Sequence, residues 1–265
     1  MNHQFTHKQH IVAVSIIKRF ANAQTGKVSV YCLKNLKDER FITCHPQDKR
    51  FVIIDGWDQY TEDIIDNKKT EEPYISLTKY IASKKSLTVK EQKIISDFHS
   101  LLKFRSRRKS YTQEWKSPYS LVADQDTCDI LERNNYITSL NGIIPKRQQG
   151  RVLRHAWELW RMMILEQQPQ KECHWVIVKS DKIDFIVSDN FLEKVDIVPI
   201  SPSYCFVEFK LAKQLFGFSI ITDQKIDFWQ ASLLDTANIN KIVIDNAEEY
   251  FFSRDLTTSL HMSRL

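Results

Sequence analysis

Glycine is scarce in this chain, 5 among 265 residues, and none of the patterns G-x-x-x-x-G-K-[ST], G-x-G-x-x-G or G-x-S-x-G occurs. Folds that cradle phosphates in a glycine loop, or raise a nucleophile on a strained elbow, are disfavoured on that ground. Cysteine is as sparse: Cys32, Cys44, Cys128, Cys173 and Cys205 are widely spaced, odd in number and never arranged as C-x-x-C. Neither a disulfide framework nor a standard zinc ribbon is indicated, and a reducing cytosol fits best. Long apolar runs are missing too, since no stretch approaches the roughly 20 residues that cross a bilayer. The opening Met1–His7 is polar, and the run Ile11–Ile17 is interrupted by Ser15 and followed by Lys18-Arg19, which is not a signal-peptide pattern. The expectation is a soluble, cytoplasmic protein with no membrane partner.

Charge of one sign does not dominate. Thirty-eight Lys and Arg against 33 Asp and Glu leave a net +5, which permits an anionic partner without demanding one. Hydrophobic residues make up 42% and aromatics 11%, enough for one sizeable core and unlike a disordered chain. With no internal repeat and no clear linker, the expectation is a single α+β domain over 1–256. It has a mostly antiparallel sheet, a helical middle region at about 75–168, and a frayed tail at 257–265.

Val28, Val30 and Cys32 alternate with polar neighbours after Gly26 and read as a strand. Phe41–Cys44 and Phe51–Ile54, separated by His45-Pro46-Gln47-Asp48, read as a hairpin. Thr88 followed by Glu91 is a capping box ahead of a helical apolar pattern at Ile94, Ile95, Phe98, Leu101 and Leu102, which predicts a helix from Val89 to Arg105. A second helix is expected from Gly150 to Gln167, with Leu153, Ala156, Trp157, Trp160, Met163 and Ile164 on its apolar face. Trp175–Val178, Phe185–Val187, Ile197–Ile200 and Tyr204–Val207 read as an antiparallel meander. A helix over Ile226–Asn240 and a strand over Glu248–Ser253 would close the fold.

The order of several short motifs resembles the bacterial domain-of-unknown-function 4238 family. The residues that carry the resemblance are Gln9-His10 with the apolar stretch Ile11–Phe20, then Gly26-Lys27-Val28-Ser29-Val30-Tyr31, and the helix Phe98–Arg105 ending in Arg. They continue in Phe185-Ile186-Val187-Ser188-Asp189-Asn190, Val198-Pro199-Ile200-Ser201-Pro202, Ile239-Asn240 and Ala247-Glu248-Glu249-Tyr250. The chain departs from the family pattern where paired histidines and a Pro-Gln usually stand, having Gln9-His10 and Val12-Ala13. The resemblance implies a mixed α+β fold and a shared polar site at His10, Arg105 and Ser188-Asp189-Asn190, and it implies no established activity.

Arg105 continues the Ile94, Phe98, Leu101 line, so its stem should face the core, where a guanidinium must find a carboxylate or carbonyls. Asp189 is the candidate partner. One reading is a buried Arg–Asp pair with Asn190 bonding backbone in its turn. The catalytic reading has His10 as general acid/base, Asp189 orienting it, Arg105 stabilising a phosphate or developing anion, and Asn190 beside them, a set suited to metal-independent phosphodiester chemistry on RNA.

A further reading takes Asp189 or Asp196 with Glu208-Phe209-Lys210 as the Asp…Glu-x-Lys order of restriction-type nucleases, in which Asp189 and Glu208 hold a divalent metal and Lys210 assists. Glu-x-Lys is also common as an ordinary strand end. His3, His7 and His10 at helical spacing, Cys44-His45 and Cys173-His174 would need distant residues to converge before they held zinc.

The basic stretch Lys103, Arg105, Arg107, Arg108 and Lys109, followed by Tyr111 and Trp115, combines phosphate-binding charge with rings that stack on bases. Lys146, Arg147, Arg151, Arg154 and Arg161 could extend that face. The bland alternative is a solvated helix end whose cations suit the C-terminal dipole. The leading expectation is a nucleic-acid-directed effector with RNase-like chemistry and no cofactor, which would suit a bacterial defence or toxin module. The alternative is a non-catalytic module that binds nucleic acid, a protein partner or a second copy of itself.

Overall fold

The structure is a computed structural model in which residues 8–34, 41–54, 70–114, 174–191, 196–216 and 226–263 are described. The expected helix at 150–167, His3, His7, Cys128, Cys173, Trp115 and the basic residues 146–161 lie outside them, as do the side chains of Arg107, Arg108, Lys109 and Tyr111. The chain is a mixed α+β protein. Among the described residues its helices are α1 (Val14–Arg19), α2 (Glu72–Thr78), α3 (Val89–Glu114), α4 (Phe209–Phe216), α5 (Leu233–Asp245) and α6 (Leu256–Ser263). None is long and apolar enough to cross a membrane.

The strands are β1 (Lys8–His10), β2 (Val28–Cys32), β3 (Phe41–Cys44), β4 (Val52–Ile54), β5 (Trp175–Lys179), β6 (Val187–Ser188), β7 (Ile197–Ser201), β8 (Tyr204–Glu208), β9 (Phe228–Gln230) and β10 (Tyr250–Ser253). They form a pair β1-β4 and two four-stranded sheets, β3-β2-β10-β6 and β7-β8-β5-β9. Among the described residues every strand pairing is antiparallel except β5 with β9. β5 lies between two neighbours and buries Trp175, Val176, Ile177 and Val178 in succession. Its continuous apolar run, in place of alternation, follows from having both faces covered.

The capping box stands as expected: the Thr88 and Glu91 side chains and backbone bond reciprocally at 2.9 and 3.3 Å. The helix runs on past Arg105 to Glu114. α3 buries Ile95, Phe98, Leu101, Leu102 and Arg105. Gln92 clasps the backbone of Trp175 from both sides, accepting from its N–H at 2.6 Å and donating to its carbonyl at 3.2 Å. That bond pair fixes α3 against β5. Tyr74 on α2 stacks on Phe98 with ring centroids 3.9 Å apart and donates its hydroxyl proton to the Pro199 carbonyl at 2.7 Å.

Four expectations are corrected. β3 and β4 are not a hairpin, because β3 pairs with β2 and β4 with β1, the short helical turn Lys49–Phe51 having redirected the chain. The expected meander is interrupted, since β6 pairs with β10 in the other sheet. The segment expected as helix from Ile226 begins with β9, and the helix starts at Leu233, capped by Ser232 and Asp235. Residues 257–263 of the tail expected to fray belong to α6, whose Leu256 and Leu260 are buried.

Candidate functional site

His10 ends β1, and α1 begins at Val14 after three intervening residues, so the imidazole and the first turn of that helix share one wall. Arg105 reaches the same place from α3. Together with Ala13, Val14, Ser15, Glu71, Glu72 and Ile75 they line a cleft of about 410 Å³, a volume within the usual range of ligand sites. The sequence placed His10 and Arg105 in one site, and the structure brings them together.

Arg105 is 1% exposed and forms an ion pair through Nη1 with Glu71 Oε1. Its partner in the cleft is therefore a carboxylate that the sequence reading did not single out. The signal for it was local: Glu71 is the N-cap residue of α2 and Glu72 and Pro73 open its first turn, where the helix dipole favours negative charge and proline lacks only a donor that has no use. His10 Nε2 and Ser15 Oγ are buried atoms with no hydrogen-bond partner. Burial, and then the nearby Arg105 charge, push the His10 imidazole down to about 4, because both disfavour a second positive charge. His10 is therefore a neutral imidazole with an uncommitted nitrogen at neutral pH.

Asp189 and Asn190 are bonded into a turn and are not among the residues that line the cleft. Asp189 is 1% exposed, and its two carboxylate oxygens accept the backbone N–H groups of Glu248 and Glu249, each at 3.0 Å. Its own N–H donates to the Tyr250 carbonyl at 3.2 Å. Ser188 Oγ donates to the Asn190 carbonyl at 2.7 Å, and Asn190 Nδ2 donates to Glu248 Oε1 at 3.3 Å. The turn thus braces the approach to β10, and the charge acting on His10 is Arg105 rather than an orienting Asp189. Two motifs that carried the family resemblance, Ser188-Asp189-Asn190 and Ala247–Tyr250, are bonded to each other through this turn.

Asp196 and Glu208 adjoin, since the Glu208 N–H donates to the Asp196 carbonyl at 2.9 Å, but their carboxylates are engaged apart. Asp196 pairs with Lys103 at 2.9 Å. Glu208 caps α4 by accepting from the N–H groups of Lys210 and Leu211 at 2.8 and 3.4 Å. No group of three or more His, Cys, Asp or Glu side chains able to hold a metal occurs among the described residues; of the pair expected with Lys210, Asp189 bonds the Glu248 and Glu249 backbone while Glu208 caps α4. Of the expected docking cations, Lys103 is occupied by Asp196 and Arg105 by Glu71.

Fold and cleft together define a mixed α+β protein with a polar cleft in which a neutral histidine stands beside a buried arginine. No family model, no curated protein and no solved structure matches the chain.

Proposed function

We propose that the His10–Arg105 cleft is a ligand site and that the protein is a nucleic-acid-directed effector with RNase-like phosphodiester chemistry. The observation that carries this reading is the buried, unpartnered Nε2 of His10 beside a buried guanidinium on one cleft wall. In this scheme the neutral imidazole takes the proton of a ribose 2′-hydroxyl as its oxygen bonds to phosphorus, and the imidazolium returns that proton to the departing 5′-oxygen as the P–O5′ bond breaks, while Arg105 meets the negative charge that develops on the phosphate oxygens. No metal enters the step. Membership of the domain-of-unknown-function 4238 family is part of the proposal, supported by the bonding of its Ser188-Asp189-Asn190 and Ala247–Tyr250 motifs across the fold. A bacterial defence or toxin setting would suit the activity.

The second reading is a non-catalytic module for nucleic acid or a protein partner, and one observation favours its protein-partner form: Glu71 and Glu72 line the same cleft, and their charge opposes a polyanion. Labelled RNA and DNA incubated with the protein, with and without EDTA, separate the two. The first reading expects RNA cleavage that persists in EDTA, is lost in His10→Ala, and rises with pH through about 4 as the imidazole of the free protein loses its proton. No cleavage of RNA by the wild-type protein would remove it and leave the binding module, whose nucleic-acid form should still show salt-sensitive affinity.

A further inference from the structure

Glu71 has the position of a ligand. Its carboxylate lies against Nη1 of Arg105, both residues line the cleft, and the two side chains are 12% and 1% exposed. A carboxylate is held by a guanidinium through the same oxygen-to-N–H geometry that a phosphate uses. Glu71 is the N-cap residue of α2, and its side chain makes no capping bond to that helix, so leaving Arg105 would not uncap it. Beyond the ion pair, the cleft holds a hydroxyl with no partner, Ser15 Oγ, able to donate to a further oxygen of an incoming anion.

We infer that Arg105 and Ser15 form an oxyanion subsite for a phosphate ester, and that Glu71, which lies against Arg105, vacates it when the ester binds. This rests on the proposed function and deepens it, because it makes Glu71 the competitor that sets how tightly a phosphate is held. Exchange of one anion for another keeps the buried guanidinium paired throughout, avoiding the large penalty of an uncompensated buried charge. It also explains how a cleft that carries two glutamates could admit an anion: one of the two moves off as the anion arrives. His10 keeps its lone pair for the hydroxyl and takes no part in the exchange.

The probe is inorganic phosphate, titrated calorimetrically into the full chain at fixed ionic strength, with chloride as control. Glu71→Gln removes the competing charge, and phosphate should bind it at least tenfold more tightly than wild type and raise its Tm by more. Equal or weaker affinity in Glu71→Gln overturns the inference. If that variant does not fold, Glu71→Asp replaces it, since a side chain shorter by one methylene holds Arg105 less closely; tighter phosphate binding is again expected, and unchanged binding again overturns the inference. RNA cleavage by wild type together with unaltered phosphate affinity in the variant removes the exchange and leaves the proposed function intact. Tightened phosphate binding in a protein that cleaves no RNA supports the exchange and removes the RNase reading.

Discussion

An imidazole held near pKa 4 against an ordinary 6.5 binds fewer protons in the folded protein than in the unfolded chain at any pH between those values. The sign follows from linkage: the stability that His10 allows is fully present above about pH 6.5 and is lost as pH falls through 6.5 toward 4. Discounted for the part of the ring that water reaches, the loss is on the order of 1 to 2 kcal/mol. His10→Ala should therefore flatten the acid limb of a urea-denaturation series taken from pH 7 to pH 4, and an unchanged limb would place the titration elsewhere. Asp189 is read by the same measurement at pH 7. Asp189→Ala leaves two partly buried backbone donors without their carboxylate, for a loss of about 1 to 3 kcal/mol, with Asp189→Asn intermediate. At this scale the sequence disclosed Arg105 through its place on an apolar helix line. It hid Glu71, because a carboxylate at the start of a helix looks the same whether it faces water or a buried guanidinium.

Elements were legible where a local pattern had a local cause. The Thr88–Glu91 box specified the start of α3, and Thr88→Ala should lower stability by about 1 kcal/mol in thermal or chemical denaturation. Pairing was less legible, since which strand lies beside which is set by long-range packing. Phe41–Cys44 and Val52–Ile54 are both true strands, yet each found its partner in a different sheet. The stretch around Phe228–Gln230 shows the same limit: three residues become a strand because β5 offers them a parallel edge, a fact absent from their own periodicity. α6 was misjudged because short terminal segments are often loose. Its Leu256 and Leu260 are buried and Ser259 Oγ donates to the Asp184 carbonyl at 3.0 Å. Leu260→Ala should then cost about 2 to 4 kcal/mol, read as a shift in the denaturation midpoint, where a frayed tail would give no shift.

For the molecule as a whole, the cleft depends on how its walls are braced from behind. α2 and its N-cap residue present Ile75 and Glu71 to the cleft, and the helix is fixed on the other side by Tyr74, whose ring stacks on Phe98 of α3 and whose hydroxyl reaches β7 at Pro199. Arg19, on α1, adds a second tie by donating to Thr78 Oγ1 at 2.8 Å and to the Ile200 carbonyl at 3.3 Å. The ion pair in the cleft thus joins two helices, α2 and α3, whose spacing is already set by an aromatic stack. Tyr74→Phe keeps the stack and removes one buried hydrogen bond, leaving the Pro199 carbonyl without that donor, for a loss of about 1 to 2 kcal/mol. Because the helix then loses its anchor on β7 while keeping its seat on α3, the cleft should retain its pair: the acid limb assigned to His10 should keep its midpoint even as overall stability falls. A shifted limb in Tyr74→Phe would mean that the β7 anchor, and not the α2–α3 stack, sets the distance between Glu71 and Arg105.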